Sequence, residues 1–171
     1  MRYTLLVISL LLASLVLNAQ NKDSEKELER VIEEFRVSII EHNDIEKFSK
    51  LFLHDSITWA AIFTKKTKEM TLKQMPDFVF HSGDYKTFYN NLKEKTEEKF
   101  YNVKINRRGE FATISFDYNF SFNSKIQNWG IEYWSLILVN EKWKITSVTW
   151  TMNYQDIEKC PFSNETEFRL N

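Results

Sequence analysis

The spacing of the apolar residues changes once along this chain, near Lys95, and the change limits what the chain can build. Before it, apolar side chains recur at three and four residue intervals; after it they alternate with polar ones. A sequence written this way packs helices from its first half against a sheet from its second, an α+β arrangement. Leu28, Val31, Ile32, Phe35, Ile39 and Ile40 mark a helix from Ser24, with Ser24 and Glu27 as a capping box and His42-Asn43 as its stop. Ile45, Phe48, Leu51 and Phe52 mark a second, short helix ending at His54-Asp55. Residues 56–64 read as a strand and 65–76 as a charged connection with room for an extra turn. Asp84 caps a third helix through Lys95 that carries Tyr85, Phe88, Tyr89 and Leu92. Four strands follow, at 100–107, 111–122, 129–139 and 142–153, and a loose tail completes the chain.

The turn Asn140-Glu141 sets which side of the last hairpin faces inward. With Val139 opposite Lys142, regular pairing places Trp129, Ile131, Tyr133, Ser135 and Ile137 on one face with Val148, Trp150 and Met152. Trp134, Leu136, Leu138, Trp143 and Ile145 take the other, and Glu132 goes with them. One layer of helices covers one side of a sheet, so that second apolar face is expected to meet a second copy of the chain; a tail folded over it is the alternative. On the preceding strand Ala112, Ile114, Phe116, Tyr118 and Phe120 share the inner side, and Asp117 points away.

Composition removes several classes of activity. The 23 basic and 24 acidic residues leave a net charge of −1, with no field for nucleic acid or an anionic membrane. Gly83, Gly109 and Gly130 are too few and too scattered for a phosphate-cradling loop or a nucleophile elbow. Cys160 stands alone, which excludes an internal disulfide and a multi-cysteine zinc site. His42, His54 and His81 show no metalloprotease spacing, and His81 with Asp77 and Asp84 lacks a fourth ligand, so neither metal nor cofactor is expected.

The first residues read as an address. Arg2 precedes an apolar run of 14 residues, Thr4 to Leu17, and Leu17-Asn18-Ala19 supplies the small residue of a cleavage site. Such a run spans roughly 21 Å as a helix against a hydrocarbon core of about 30 Å, which disfavours a retained anchor. Three parts are therefore expected: a signal peptide at 1–19, one domain at 20–156 and a tail at 157–171, with the mature protein exported to the periplasm or the extracellular space.

Two stretches carry a resemblance. Asn43-Asp44-Ile45-Glu46-Lys47-Phe48, continuing through Leu51-Phe52-Leu53-His54-Asp55-Ser56-Ile57, is one; Gly130-Ile131-Glu132-Tyr133-Trp134-Ser135-Leu136 with Lys142-Trp143-Lys144-Ile145 is the other. Over residues 27–154 the chain resembles the nuclear transport factor 2-like (NTF2-like) superfamily, also called SnoaL-like and here of DUF4440 type, as a secreted bacterial member. The resemblance implies a cone-shaped, curved antiparallel sheet packed on three N-terminal helices, enclosing a cavity that some members use for catalysis and others for binding. Where the family's ketosteroid isomerases carry a Tyr and two Asp, the corresponding positions here hold Arg36, Ala60 and Ser135. Ala60 cannot abstract a proton, and Ser135 is a poor stand-in for a neutral carboxylic acid, so isomerase chemistry is disfavoured.

The candidate ligand-binding residues are Arg36, Trp59, Phe116, Tyr118, Tyr133, Ser135 and Trp150: a guanidinium able to clamp a carboxylate, and aromatic walls for an apolar guest. The weaker catalytic candidates are His54, Asp55 and Tyr118. The expectation is an exported homodimer that binds a small apolar molecule, acidic if Arg36 clamps it, without turnover. A dehydratase, cyclase or hydrolase, or a protein-interaction module whose cavity is filled by its own side chains, is the alternative.

Overall fold

The computed structural model describes residues 25–162 and 164–170. The signal-like segment, the Ser24 cap and the proposed cleavage site lie outside them. Helix α1 covers 25–41 and buries Leu28, Val31, Ile32, Phe35 and Ile39, the stripe that the spacing predicts. It ends where His42 takes a left-handed conformation (φ 29°). Asp44 then caps α2 (Ile45–Ser49) by accepting the Lys47 amide at 2.8 Å. The chain continues through β1 (Thr58–Phe63), α3 (Lys65–Gln74), the two-residue β2 (His81–Ser82) and α4 (Tyr85–Asn90), which Asp84 caps through the Thr87 amide at 2.8 Å. Long strands β3 (Thr96–Arg108), β4 (Phe111–Phe122), β5 (Lys125–Val139) and β6 (Lys142–Tyr154) complete it.

The sheet runs β2-β1-β6-β5-β4-β3. Its neighbours are antiparallel except β1, which lies parallel to β6 with Trp59 opposite Val148 and Ala61 opposite Trp150. The fold is therefore the expected curved sheet under helices, with mixed rather than uniform strand direction. Residues 65–76, read as a charged connection, are mostly helix: α3 has scarcely any apolar stripe, and the side chain it buries fully is Thr67, whose hydroxyl accepts the Tyr154 amide at 3.2 Å.

Bulges bend the sheet and decide which side chains face the helices. The hairpin turn has the expected register, Val139 opposite Lys142, through Leu136 opposite Ile145. There β6 gains one residue, Thr146, and Ser135 pairs with Ser147 instead. Its hydroxyl donates to the Ser135 carbonyl at 3.0 Å. The shift puts Trp143 and Ile145 on the same side as Val148 and Trp150, because an extra residue inverts the alternation beyond it. The inner face of β5 is consequently Glu132, Trp134 and Leu136, all at most 4% exposed, while Tyr133 is 52% exposed on the outer face and Ser135 lies there too. Trp134, Leu136, Trp143 and Ile145, with Leu138 packed against them, belong to the core of one chain and are not available to a partner. Regular alternation through the hairpin turns β5 and the end of β6 that carries Trp143 and Ile145 the wrong way round, whereas Val148, Trp150 and Met152 face inward as expected.

Phe35 occupies the middle of that core, with ring centroids 4.7 Å from Trp134, 5.2 Å from Phe48 and 6.3 Å from Phe100. The tail is not loose. Cys160 and Phe162 are buried on the outer face, Phe162 against Tyr101 (5.4 Å) and Trp129 (5.7 Å), and the Phe168 amide donates to the Phe100 carbonyl at 2.8 Å. Among the described residues no helix is long and apolar enough to cross a membrane.

Candidate functional site

Between the inner face of the sheet and the helices lies a cavity of about 450 Å³. Its exposed rim is built by β2 and the start of α4: His81, Ser82, Gly83, Asp84, Thr87 and Asn91. The walls are rings. Trp59 of β1 packs on Phe88 of α4 (centroids 5.3 Å apart) and edge-on to Trp150 of β6 (5.5 Å), and Phe88 continues to Phe120 of β4 (6.1 Å). The deep end holds Phe35, Val148, Tyr118, Glu98 and Glu132.

Beside the cavity, β5 and β6 are packed too closely at one position for any side chain. Gly130 pairs with Tyr118, and a Cβ there would lie 1.9 Å from the Thr151 carbonyl oxygen of β6. That contact is impossible, so only glycine lets the two strands approach this closely. The Tyr118 hydroxyl has two acceptors within reach, Asn128 Oδ1 and the Thr151 carbonyl, each at 3.1 Å. Burial, with the charges of Glu132 and Glu98 behind it, pushes this phenol well above its usual value, so near neutrality it stays a hydrogen-bond donor.

Two carboxyl groups stand on either side of the Tyr118 row. Glu132 pairs with Phe116 in the sheet and Glu98 with Phe120, and each is about 95% buried. Trp134 Nε1 donates to Glu132 Oε1 at 2.5 Å, whereas Glu98 has no hydrogen-bond donor among the described residues. Burial raises Glu132 to about 7, against the Trp134 bond that lowers it. Burial and then the charge of Glu132 raise Glu98 well above the usual carboxylate range. Each carboxyl therefore keeps its proton to higher pH than an exposed glutamate, because burial disfavours its charged form and, at Glu98, the charge of Glu132 adds to that effect. Among the described residues no Lys or Arg lines the cavity.

Of the residues singled out in the sequence, Trp59, Tyr118 and Trp150 meet in this cavity. Phe116 lies beneath it, packed on Phe100 (4.3 Å) and Trp134 (5.1 Å). Tyr133 and Ser135 face away, for the reason given by the β6 bulge. Arg36 is buried but turned to a separate groove with Ile40, Glu97, Lys99 and Arg169, where Nε and Nη2 donate to Glu33 at 2.9 and 2.5 Å. That ion pair answers its charge, so it does not clamp a guest in the cone.

His54 and Asp55 sit on an exposed turn outside the cavity; the Asp55 carboxylate accepts Lys86 Nζ and the Tyr85 hydroxyl, each at 2.7 Å, which hold it below its ordinary value. No three His, Cys, Asp or Glu side chains cluster among the described residues in a way that could hold a metal. Sequence reasoning missed Glu98 and assigned Glu132 to the wrong side. One signal was present: Glu132 shares its alternation with Trp134, Leu136 and Leu138, so burying that row buries an acid. Glu98, inside Glu97-Glu98-Lys99, is marked only by its parity with Phe100.

No protein-family model matches the chain, and no curated protein matches it. Solved structures do. It is similar to an NTF2-like protein with a cystatin-like fold from Novosphingobium aromaticivorans (TM-score 0.60, 11% identity, 81% of this chain and 87% of that one). A proposed scytalone dehydratase from the same organism matches with a TM-score of 0.55 at 14% identity, over 80% and 88%. A proposed dehydratase of the NTF2-like family from Streptomyces avermitilis matches with 0.54 at 15%, over 77% and 96%. At these identities the likeness shows the fold.

Proposed function

We propose that this chain uses its NTF2-like, cystatin-like fold as an acid–base site for a small, largely apolar molecule, with Glu132 as the base and Glu98 facing the guest's polar head. The observation that carries this is the pair of buried carboxyl groups sharing one aromatic-walled cavity of about 450 Å³. Aromatic walls and a volume above about 300 Å³ would serve a binding protein equally well. A carboxyl raised to about 7 goes further, because a base works best when its proton affinity matches the surrounding pH. Glu132 would take a proton from carbon next to an activating group while Tyr118, still a phenol, offers a hydrogen bond in the same space. The two structural neighbours described as proposed dehydratases support chemistry of this kind, since dehydration begins or ends with such a transfer. The signal-like first 19 residues support a site of action outside the cytoplasm.

The test is proton–deuterium exchange at the α-carbon of a panel of small cyclic ketones and aminoketones in D₂O, followed by NMR. Exchange catalysed by the parent protein should fall by about a hundredfold or more in Glu132→Gln. Equal rates in parent and variant would remove Glu132 from the chemistry.

A further inference from the structure

The cavity presents Glu98 and Glu132 at its deep end and Asp84 at its rim, with no Lys or Arg between them. Arg36, the nearest buried guanidinium on α1, is held by Glu33 in the neighbouring groove. Glu98 forms part of the wall between the two spaces and is paired with no cation among the described residues. Proteins seldom leave a buried carboxyl uncompensated, because removing its charge from water costs several kcal/mol unless a partner is supplied. The same cavity is lined by Trp59, Phe88, Trp150, Phe120 and Tyr118, and aromatic ring faces attract positive charge. An anion that passed the His81 ring at the rim would meet two acids and, among the described residues, no Lys or Arg.

We propose that the head group received between Glu98 and Glu132 is a cation, an ammonium from primary to quaternary, carried on a compact apolar body that the aromatic walls enclose. The proposal rests on the cavity being a small-molecule site, as above, and names the class of guest. The ammonium pairs with Glu98 and stands in for the proton that burial otherwise keeps on this carboxyl, which leaves Glu132 free to exchange a proton with the carbon beside it. Asp84 at the rim adds an attractive charge on the way in.

Phenyltrimethylammonium and tert-butylbenzene have nearly the same shape and differ by one charge, so quenching of tryptophan fluorescence by each, on the intact protein, measures the preference. The cation should bind at least tenfold more tightly, and Glu98→Gln should abolish most of that advantage. A quaternary nitrogen has no proton to give. Calorimetry at about pH 6 in buffers of different ionisation heat should therefore show about one proton released from the carboxyl pair per cation bound. This second measurement decides the matter if Glu98→Gln does not fold. Binding of tert-butylbenzene as tight as that of the cation, or no proton release, would overturn the cationic guest while leaving the cavity a small-molecule site. Binding of neither probe would overturn both.

Discussion

Replacing Glu132 by Gln should reverse part of the pH dependence of stability. In the folded chain burial raises this carboxyl to about 7, against an ordinary glutamate value of 4.5, so the folded state holds its proton more tightly than the unfolded one. The stabilising contribution is thus complete below about pH 4.5 and is lost as pH rises through about 7. At 1.36 kcal/mol for each tenfold change in proton concentration, the loss is about 3 kcal/mol. For a chain of this size that lowers Tm by about 6–12 °C. Gln keeps the shape and an oxygen for Trp134 Nε1 but has no proton to lose. Thermal unfolding followed by circular dichroism from pH 4.5 to 8 should show the variant level with the parent at the acid end and above it at the alkaline end. The residual slope belongs to Glu98, which still faces the same burial. Parallel curves for the two proteins would refute the assignment of a raised, buried carboxyl to Glu132.

Gly130→Ala should be the most damaging single-methyl change in the sheet: its Cβ falls 1.9 Å from the Thr151 carbonyl, and a loss of about 3 kcal/mol or more is expected in urea titration. Trp134→Lys should prevent folding, whereas Tyr133→Lys, one residue earlier on the outer face, should fold normally by circular dichroism. Phe162→Ala should cost about 3–5 kcal/mol, measured the same way, because the tail covers Tyr101 and Trp129 with that ring.

Helix α1, the capped starts of α2 and α4, the long strands and the turn at Asn140-Glu141 were legible because each follows from spacing or capping within a few residues, whereas α2 stops at Ser49 and α4 at Asn90, short of the expected His54-Asp55 and Lys95. What could not be read was the bulge at Thr146. Nothing in Ile145-Thr146-Ser147 distinguishes a bulged strand from a regular one, yet that one residue decides whether Trp134 or Tyr133 faces the helices. The parallel pairing of β1 with β6 is likewise set by tertiary packing, and α3 has too weak an apolar pattern to be separated from a charged loop. Tyr118, Trp59 and Trp150 were found because aromatic residues on an inner strand face must line either core or cavity. The carboxyl pair was not, since an acid in a sequence is read as solvent-exposed until its neighbours across the sheet are known. Arg36 shows the converse: a cation on a buried helix face looks like a ligand clamp until Glu33, three residues away, is seen to hold it.

Carbon-13 NMR of the glutamate δ-carboxyl groups, recorded across a pH titration of the uniformly glutamate-labelled protein, tests the buried carboxyl pair most directly. Two resonances should titrate well above the others, that of Glu132 with a midpoint of about 7, and Glu132→Gln should remove that one and lower the one belonging to Glu98. A spectrum in which every glutamate titrates near its ordinary value of 4.5 would contradict the account.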